Sequence, residues 1–305
     1  MPLTKKQIED RVNYLGGSDS AAILGLSRYK TPLSVWAIKT GAIVPDDISQ
    51  EMPVKLGNML EETVCKLFEE ETGKVLLPVT ETLFHPQYKF IGGNLDRRVQ
   101  GERAFFEAKT TNSYKQSEWE NEDEIPIEYQ IQCHHYLIVT GLERAYIGCL
   151  IGNRKFVWRV IERNEKLLAD MVAKEVAFWN NFIVPKVMPM TITSEDGGIL
   201  YALFPKAAEE SIVELDDKAQ QICEIRDSSL ADLKILEKQI DEYDNTLKAM
   251  LKTYEAGVTK TYRISWKNQS EKRLDVELLK KEEPAIYERY AKPKDKRVLR
   301  VAVKK

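Results

Sequence analysis

The stretch Asn94-Leu95-Asp96-Arg97-Arg98-Val99, followed closely by Ala104-Phe105-Phe106-Glu107-Ala108-Lys109-Thr110, decides how this chain is read. Both segments are expected to be strands, separated by the turn residues Gln100-Gly101. Side chains alternate faces along a strand, so Glu107 and Lys109 project to the same side. With Asp96 on the neighbouring strand, two carboxylates and an ammonium converge. Divalent-metal hydrolysis of a phosphodiester needs such a set. Hard Mg²⁺ prefers oxygen ligands, and metals ~4 Å apart clamp the attacking and leaving oxygens. Lys109 would orient or help deprotonate the attacking water and balance the developing negative charge. The Glu-x-Lys triplet occurs once in the chain, in the apolar setting of a buried strand. Taken alone it reads more readily as a strand-edge salt bridge. Its surroundings change that balance.

Working outward, Glu61 follows Gly57 by four residues on an expected helix over 56–72 that stops at Gly73. It lies three and seven residues before Val64 and Phe68, so it borders the apolar face, where a carboxylate needs a partner or a metal. The alternative is an ordinary first-turn glutamate favoured by the helix dipole. A later expected helix, 127–139, ends at Gly141 and aligns Tyr129, Gln132 and Tyr136 in one stripe. Gln132 and Tyr136 are candidates to contact DNA or the metal-bound water; buried hydrogen-bonding residues are the alternative. His134 and His135 read as core or contact histidines. Near the N-terminus, Arg11 precedes Gly16-Gly17-Ser18, with Ser18 the expected N-cap of a helix through Ala21-Ala22-Ile23-Leu24. A Gly-Gly turn entering a helix beside a guanidinium is a candidate anion site. Asp19 counts against an unselective one, and a simple capped helix is the alternative.

Elsewhere a strand is expected over 75–84, with Gly92-Gly93 as a turn. Residues 145–151 and 156–161 read as a hairpin around Gly152-Asn153, followed by a helix over 165–184. This order fits an α/β fold, a mixed sheet flanked by helices, over residues 1–205. Residues 206–305 read as a separate extension. Leu233, Leu236, Ile240, Tyr243, Leu247, Met250 and Tyr254 alternate in steps of three and four, the spacing of a coiled-coil seam. Packing of that helix against its own domain is the preferred reading. Strands are expected over 261–266 and 297–303.

The chain has 305 residues and a net charge of −3, unevenly distributed. From Val258 to Lys305 there are 15 Lys and Arg against 7 Asp and Glu, an excess of +8 that leaves −11 elsewhere. The tail is therefore a candidate electrostatic footprint for phosphates. No phosphate-binding P-loop or dinucleotide fingerprint occurs, so no nucleotide cofactor is expected. Cys65, Cys133, Cys149 and Cys223 are scattered and read as reduced core residues. No apolar run approaches membrane-spanning length and no signal peptide is evident, so a cytoplasmic protein is expected.

Several motifs together resemble one family. Gly16-Gly17-Ser18-Asp19 with Ala21-Ala22-Ile23-Leu24-Gly25-Leu26-Ser27-Arg28-Tyr29-Lys30-Thr31-Pro32-Leu33 resembles the opening of YqaJ-type viral recombinases, relatives of phage lambda exonuclease in the PD-(D/E)XK superfamily. So do Gly57-x-x-x-Glu61, Gly93-Asn94-Leu95-Asp96, Glu107-Ala108-Lys109-Thr110-Thr111-Asn112 and the Gln132-x-x-x-Tyr136 helix, in family order over roughly residues 10–185. The resemblance implies a restriction-endonuclease-like core and a 5′→3′ double-strand DNA exonuclease using Mg²⁺ (or Mn²⁺), with two ions in each site. It would be phage or prophage encoded, work in a bacterial host with a single-strand annealing protein, and form a homo-oligomer, a trimer. Asp96, Glu107 and the Ala108 carbonyl would bind metal, supported by Glu61. Lys109 would serve the nucleophilic water, Gln132 would hold the scissile end, and Arg11 and Ser18 would bind a terminal 5′-phosphate. Many relatives carry a second Gln where this chain has His134. The residues after about 205 resemble the tails of longer members, particularly at Tyr262-Arg263-Ile264-Ser265-Trp266-Lys267-Asn268-Gln269. Two other functions fit the same fold, an endonuclease and a non-catalytic module binding DNA ends. Retention of Glu61, Asp96, Glu107 and Lys109 together argues against the second.

Overall fold

Phe105 and Phe106 are neighbours on one strand, point to opposite faces of the sheet, and each anchors a core. The computed structural model describes residues 4–120, 124–292 and 297–303. The chain divides into two compact units, Met1–Phe204 and Pro205–Lys305.

In the first unit, helices α1 (Lys5–Asp10), α2 (Gly17–Ile23), α3 (Pro32–Lys39) and α4 (Met52–Thr72) precede the strands. Strands β1 (Leu76–Pro78), β2 (Leu83–Phe84), β3 (Gly92–Gly93), β4 (Arg97–Val99) and β5 (Ala104–Thr111) come next. They lead into α5 (Ile127–Thr140), β6 (Arg144–Ile151), β7 (Lys155–Glu162), α6 (Glu165–Phe178) and α7 (Gly197–Leu203). Five strands form one mixed sheet in the order β1-β4-β5-β6-β7. Only β5 and β6 are parallel, with Glu107 opposite Ile147 and Lys109 opposite Cys149. A parallel pair needs a crossover, and α5 lies within it. The expected α/β architecture is present.

The two faces follow the alternation along β5. Phe106 and Ala108 face α4, where Val64, Cys65 and Phe68 pack with Tyr146; the Phe68 and Phe106 rings stack at 4.4 Å. Phe105 faces α5 and joins Ile131, Leu137, Ala145 and Ile147. Glu107 and Lys109 share the Phe105 side, so the polar end of β5 emerges against α5. Helices α4 and α5 both stop where expected, at Gly73 (φ 68°) and Gly141 (φ 66°), left-handed positions that glycine occupies without strain. Helix α4 begins earlier than expected, at Met52 with Pro53 in its first turn, where the missing N–H costs no helical bond.

Several sequence expectations need correction. The strand expected over 75–84 is two short strands in different sheets, β1 on β4 and β2 on β3. Gly92-Gly93 is not a turn but β3 itself. Ser18 is not the N-cap: Gly16 is, and its N–H donates to the Asp19 carboxylate at 3.0 Å. Asp96 lies just before β4 rather than within a strand. The helix over 165–184 is α-helical only to Phe178 and then widens into a π turn, Trp179–Ile183.

The second unit holds α8 (Asp217–Leu251), the hairpin of β8 (Ala256–Val258) and β9 (Arg263–Ser265), and two short helices, α9 (Val276–Glu282) and α10 (Pro284–Tyr290), that were not anticipated. The seam residues Leu233, Leu236, Ile240, Tyr243, Met250 and Tyr254 are exposed, against the expectation that their own domain covers them. Residues 297–303 form no strand. Cys223 is only half-buried, whereas Cys65, Cys133 and Cys149 are buried thiols. No described helix is long and apolar enough to cross a membrane.

Candidate active site

The site is built where β5 meets α5. Gln132 Nε2 donates to Glu107 Oε1 at 2.7 Å, and Lys109 Nζ donates to the same oxygen at 2.7 Å and to Gln132 Oε1 at 3.1 Å. Gln132 also donates to the Tyr136 hydroxyl at 3.1 Å, and the Lys109 ammonium stands 5.0 Å over the Tyr129 ring. The helical stripe Tyr129, Gln132, Tyr136 is thus turned onto the strand's carboxylate and ammonium. Asp96 arrives from the segment that leads into β4, and its Oδ2 accepts the Ala108 backbone N–H at 2.8 Å.

Two glycines permit this close approach. A Cβ on Gly17 would lie 2.8 Å from Gln132 Cγ and 3.0 Å from the Tyr136 ring. A Cβ on Gly93 would lie 2.6 Å from the same ring. Gly17 and Gly93 therefore let α2 and β3 close on α5, while Gly16-Gly17 also enters the helix α2 as the sequence suggests.

Burial raises the Glu107 carboxyl well above the usual carboxylate range, and the nearby Asp96 charge raises it further. Asp96 is raised for the same first reason, with Glu61 adding to it and Lys109 opposing it. Burial works against the Lys109 charge, yet Glu107 and Asp96 outweigh it and hold the ammonium protonated far into alkali. One oxygen of Glu107, Oε2, is buried and has no hydrogen-bond partner. Two buried, mutually repelling carboxylates with an orphaned oxygen fit a hard divalent cation, which satisfies the free lone pairs and cancels the repulsion. Glu61, beside Asp96 in the same cleft, is engaged by Arg97, which donates to its Oε1 at 2.7 Å, to Glu62 at 2.9 Å and to the Asp96 carbonyl at 2.6 Å. Among the described residues no three acidic, His or Cys side chains converge as a ready ligand set.

A cleft of about 430 Å³ is lined by Arg11, Glu61, Asp96, Glu107, Gln132 and Tyr136, with Asn58 and Asn94. At its far side Arg11 donates to Ser18 Oγ at 3.4 Å. Lys30 donates to the same hydroxyl at 3.2 Å and to Asp19 at 2.8 Å, and Lys39 pairs with Asp19 at 2.7 Å. Burial would raise the Asp19 carboxyl, but Lys39 and Lys30 prevail and hold it far below the usual range. Lys39 lies below its ordinary value, because burial costs its charge more than Asp19 returns. The expected anion site is thus a cationic cluster with one buried counter-ion.

Arg97, Lys30 and Lys39 were missed in the sequence. For Arg97 a signal existed: in strand alternation it takes the inward position and Arg98 the outward one. His134 and His135 are both buried. His135 bonds Glu175 and the Gly92 carbonyl, away from the cleft, which fits the core reading.

Comparisons extend this geometry. The model of the YqaJ-like viral recombinase domain family matches residues 8–143. The uncharacterized protein YqaJ of Bacillus subtilis (strain 168) is 37% identical over 291 residues, spanning 93% of this chain and 89% of the relative. Crystal structures of an alkaline exonuclease (LHK-Exo) from Laribacter hongkongensis, one of them in complex with dAMP, match with TM-scores of 0.52 and 0.53. They are 17% and 18% identical and cover 60% of this chain and 94% of theirs, a likeness of fold.

Proposed function

The chain belongs to the YqaJ-like viral recombinase family, and on that premise we propose that it is a metal-dependent exonuclease digesting double-stranded DNA 5′→3′. The observation that carries this reading is Glu107, fully buried, raised in pKa and left with one unpartnered oxygen beside Asp96. Asp96, Glu107 and the Ala108 carbonyl would hold two Mg²⁺ or Mn²⁺ ions, with Glu61 in support. When bound, such ions supply Lewis acidity at the phosphate and lower the pKa of a nucleophilic water.

The chain's own residues do the rest. Lys109, kept protonated and fixed by Glu107 and Gln132, donates hydrogen bonds toward the attacking water and offsets the negative charge that develops on the phosphate. Gln132, anchored by Tyr136, orients the scissile end. Arg11 and Ser18 hold the terminal 5′-phosphate, since a guanidinium fork and a hydroxyl match phosphate oxygens. Support for the polarity, the trimeric assembly and a single-strand annealing partner comes from the family resemblance.

Linear duplex and a covalently closed circle of the same sequence, each incubated with Mg²⁺, test the reading. An exonuclease degrades the first and spares the second. Cleavage of the circle would reassign the site to an endonuclease, and no cleavage of either would reduce it to an end-binding module.

A further inference from the structure

In the second unit, Lys260-Thr261-Tyr262-Arg263-Ile264-Ser265-Trp266-Lys267 interleaves aromatic and basic residues. Strand β9 pairs antiparallel with β8, with Gly257 opposite Ile264. The bonds Thr259 N–H to Tyr262 O (2.8 Å) and Trp266 N–H to Glu255 O (2.9 Å) extend the ladder beyond both ends of β9. Tyr262, Ile264 and Trp266 therefore alternate onto one face, with the two aromatic positions ~13 Å apart along the strand. Leu251, buried at the end of α8, packs at Gly257, where an added Cβ would stand 3.1 Å from Leu251 Cδ2. The hairpin is thus fixed at its centre and carries an aromatic ring at each end. Tyr262 is 73% exposed and Trp266 51%. Lys260 and Lys267 flank the pair, within the segment whose charge excess is +8.

Exposed rings among cations fit one polymer well. Base stacking on aromatic side chains needs an accessible base face, which a duplex withholds and a single strand offers. We propose that this hairpin binds single-stranded DNA, with bases stacking on Tyr262 and Trp266 and phosphates held by Lys260 and Lys267. Arg263, on the reverse face, adds to the local positive field. The strand would be the one left by end resection, so its origin rests on the exonuclease reading, whereas the binding does not.

The test uses the full chain in EDTA with a labelled oligothymidylate, so that it is independent of hydrolysis. Trp266→Ala should weaken binding about tenfold while leaving the slope of log affinity against log salt unchanged, because stacking releases no counterions. The double variant Lys260→Ala/Lys267→Ala should flatten that slope by about 1.4. Trp266→Phe should retain most of the affinity, and Tyr262→Ala, at the other end, should weaken binding independently. Undiminished affinity in Trp266→Ala would overturn the proposal. So would an equal loss in Trp266→Phe, which would mark the ring as packing, or an equal loss for closed-end duplex, which would mark the surface as purely electrostatic.

Discussion

Replacing Glu175 by glutamine tests how the helices that carry the site are held together. Glu175, on α6, is fully buried; its Oε1 accepts the Ser20 hydroxyl at 2.5 Å and lies 2.9 Å from His135 Nδ1. His135 Nε2 lies 2.9 Å from the Gly92 carbonyl oxygen. Both ring nitrogens face acceptors, so the ring donates from both as an imidazolium. Burial works against that charge, but Glu175, the Gly92 carbonyl and the more distant Asp19 prevail, and the His135 pKa is raised. Glutamine keeps the shape and removes the counter-charge. Breaking a buried pair from one side costs ~3–5 kcal/mol. For a unit of this size that is a drop of roughly 6 to 20 °C in Tm. Because the folded-state pKa is raised, the contribution is complete below the unfolded value of ~6.5 and is lost as pH rises through the folded one. Thermal melts of both proteins across pH should therefore show the widest gap in mild acid and a narrowing one toward alkali. His85 lies near the pair, so His85→Gln serves as the control for its titration. A gap below ~1 kcal/mol, or one that widens with pH, would refute the charged-pair reasoning.

Three further outcomes are expected. Gly17→Ala should push Gln132 off Glu107 and lower kcat/KM by about tenfold or more, with a stability loss of ~1–3 kcal/mol from crowding, read by parallel kinetics and melts. Arg11→Ala should abolish faster digestion of 5′-phosphorylated over 5′-hydroxyl duplex while leaving metal affinity unchanged, measured by paired rates and metal titration. Arg97→Met should destabilise by ~3–5 kcal/mol in EDTA, since Glu61 loses its salt bridge, and Mg²⁺ should restore more stability than it adds to the unmutated protein. Melts with and without metal measure the difference.

The heart of the site was legible because it obeys local periodicity. Glu107 and Lys109 share a face by strand alternation, Gln132 and Tyr136 share one by helical spacing, and Gly73 and Gly141 end their helices through the left-handed backbone only glycine adopts freely. What escaped depends on partners remote in sequence. Gly92-Gly93 looked like a turn, but it is a strand whose missing side chain admits the Tyr136 ring. Glu61 bordered an apolar face as expected, yet its bond to Arg97 spans 36 positions and leaves no periodic trace. Ser18 seemed the natural cap, whereas Asp19 takes the cap N–H and also collects Lys30 and Lys39. On α8 the seam spacing was read correctly as a pattern, but spacing alone does not say what covers it, and the residues are exposed.

The central claim is that Asp96, Glu107 and Lys109 hydrolyse DNA from its ends with a divalent cation. Its most direct test is acid-soluble mononucleotide release from a linear 5′-phosphorylated duplex, with Mg²⁺ or EDTA, by the unmutated chain, Glu107→Ala and Lys109→Ala. Mononucleotides should appear only with the unmutated chain and Mg²⁺, each variant losing at least ~100-fold in rate while remaining folded. Near-native release by either variant, or release undiminished in EDTA, would contradict the account.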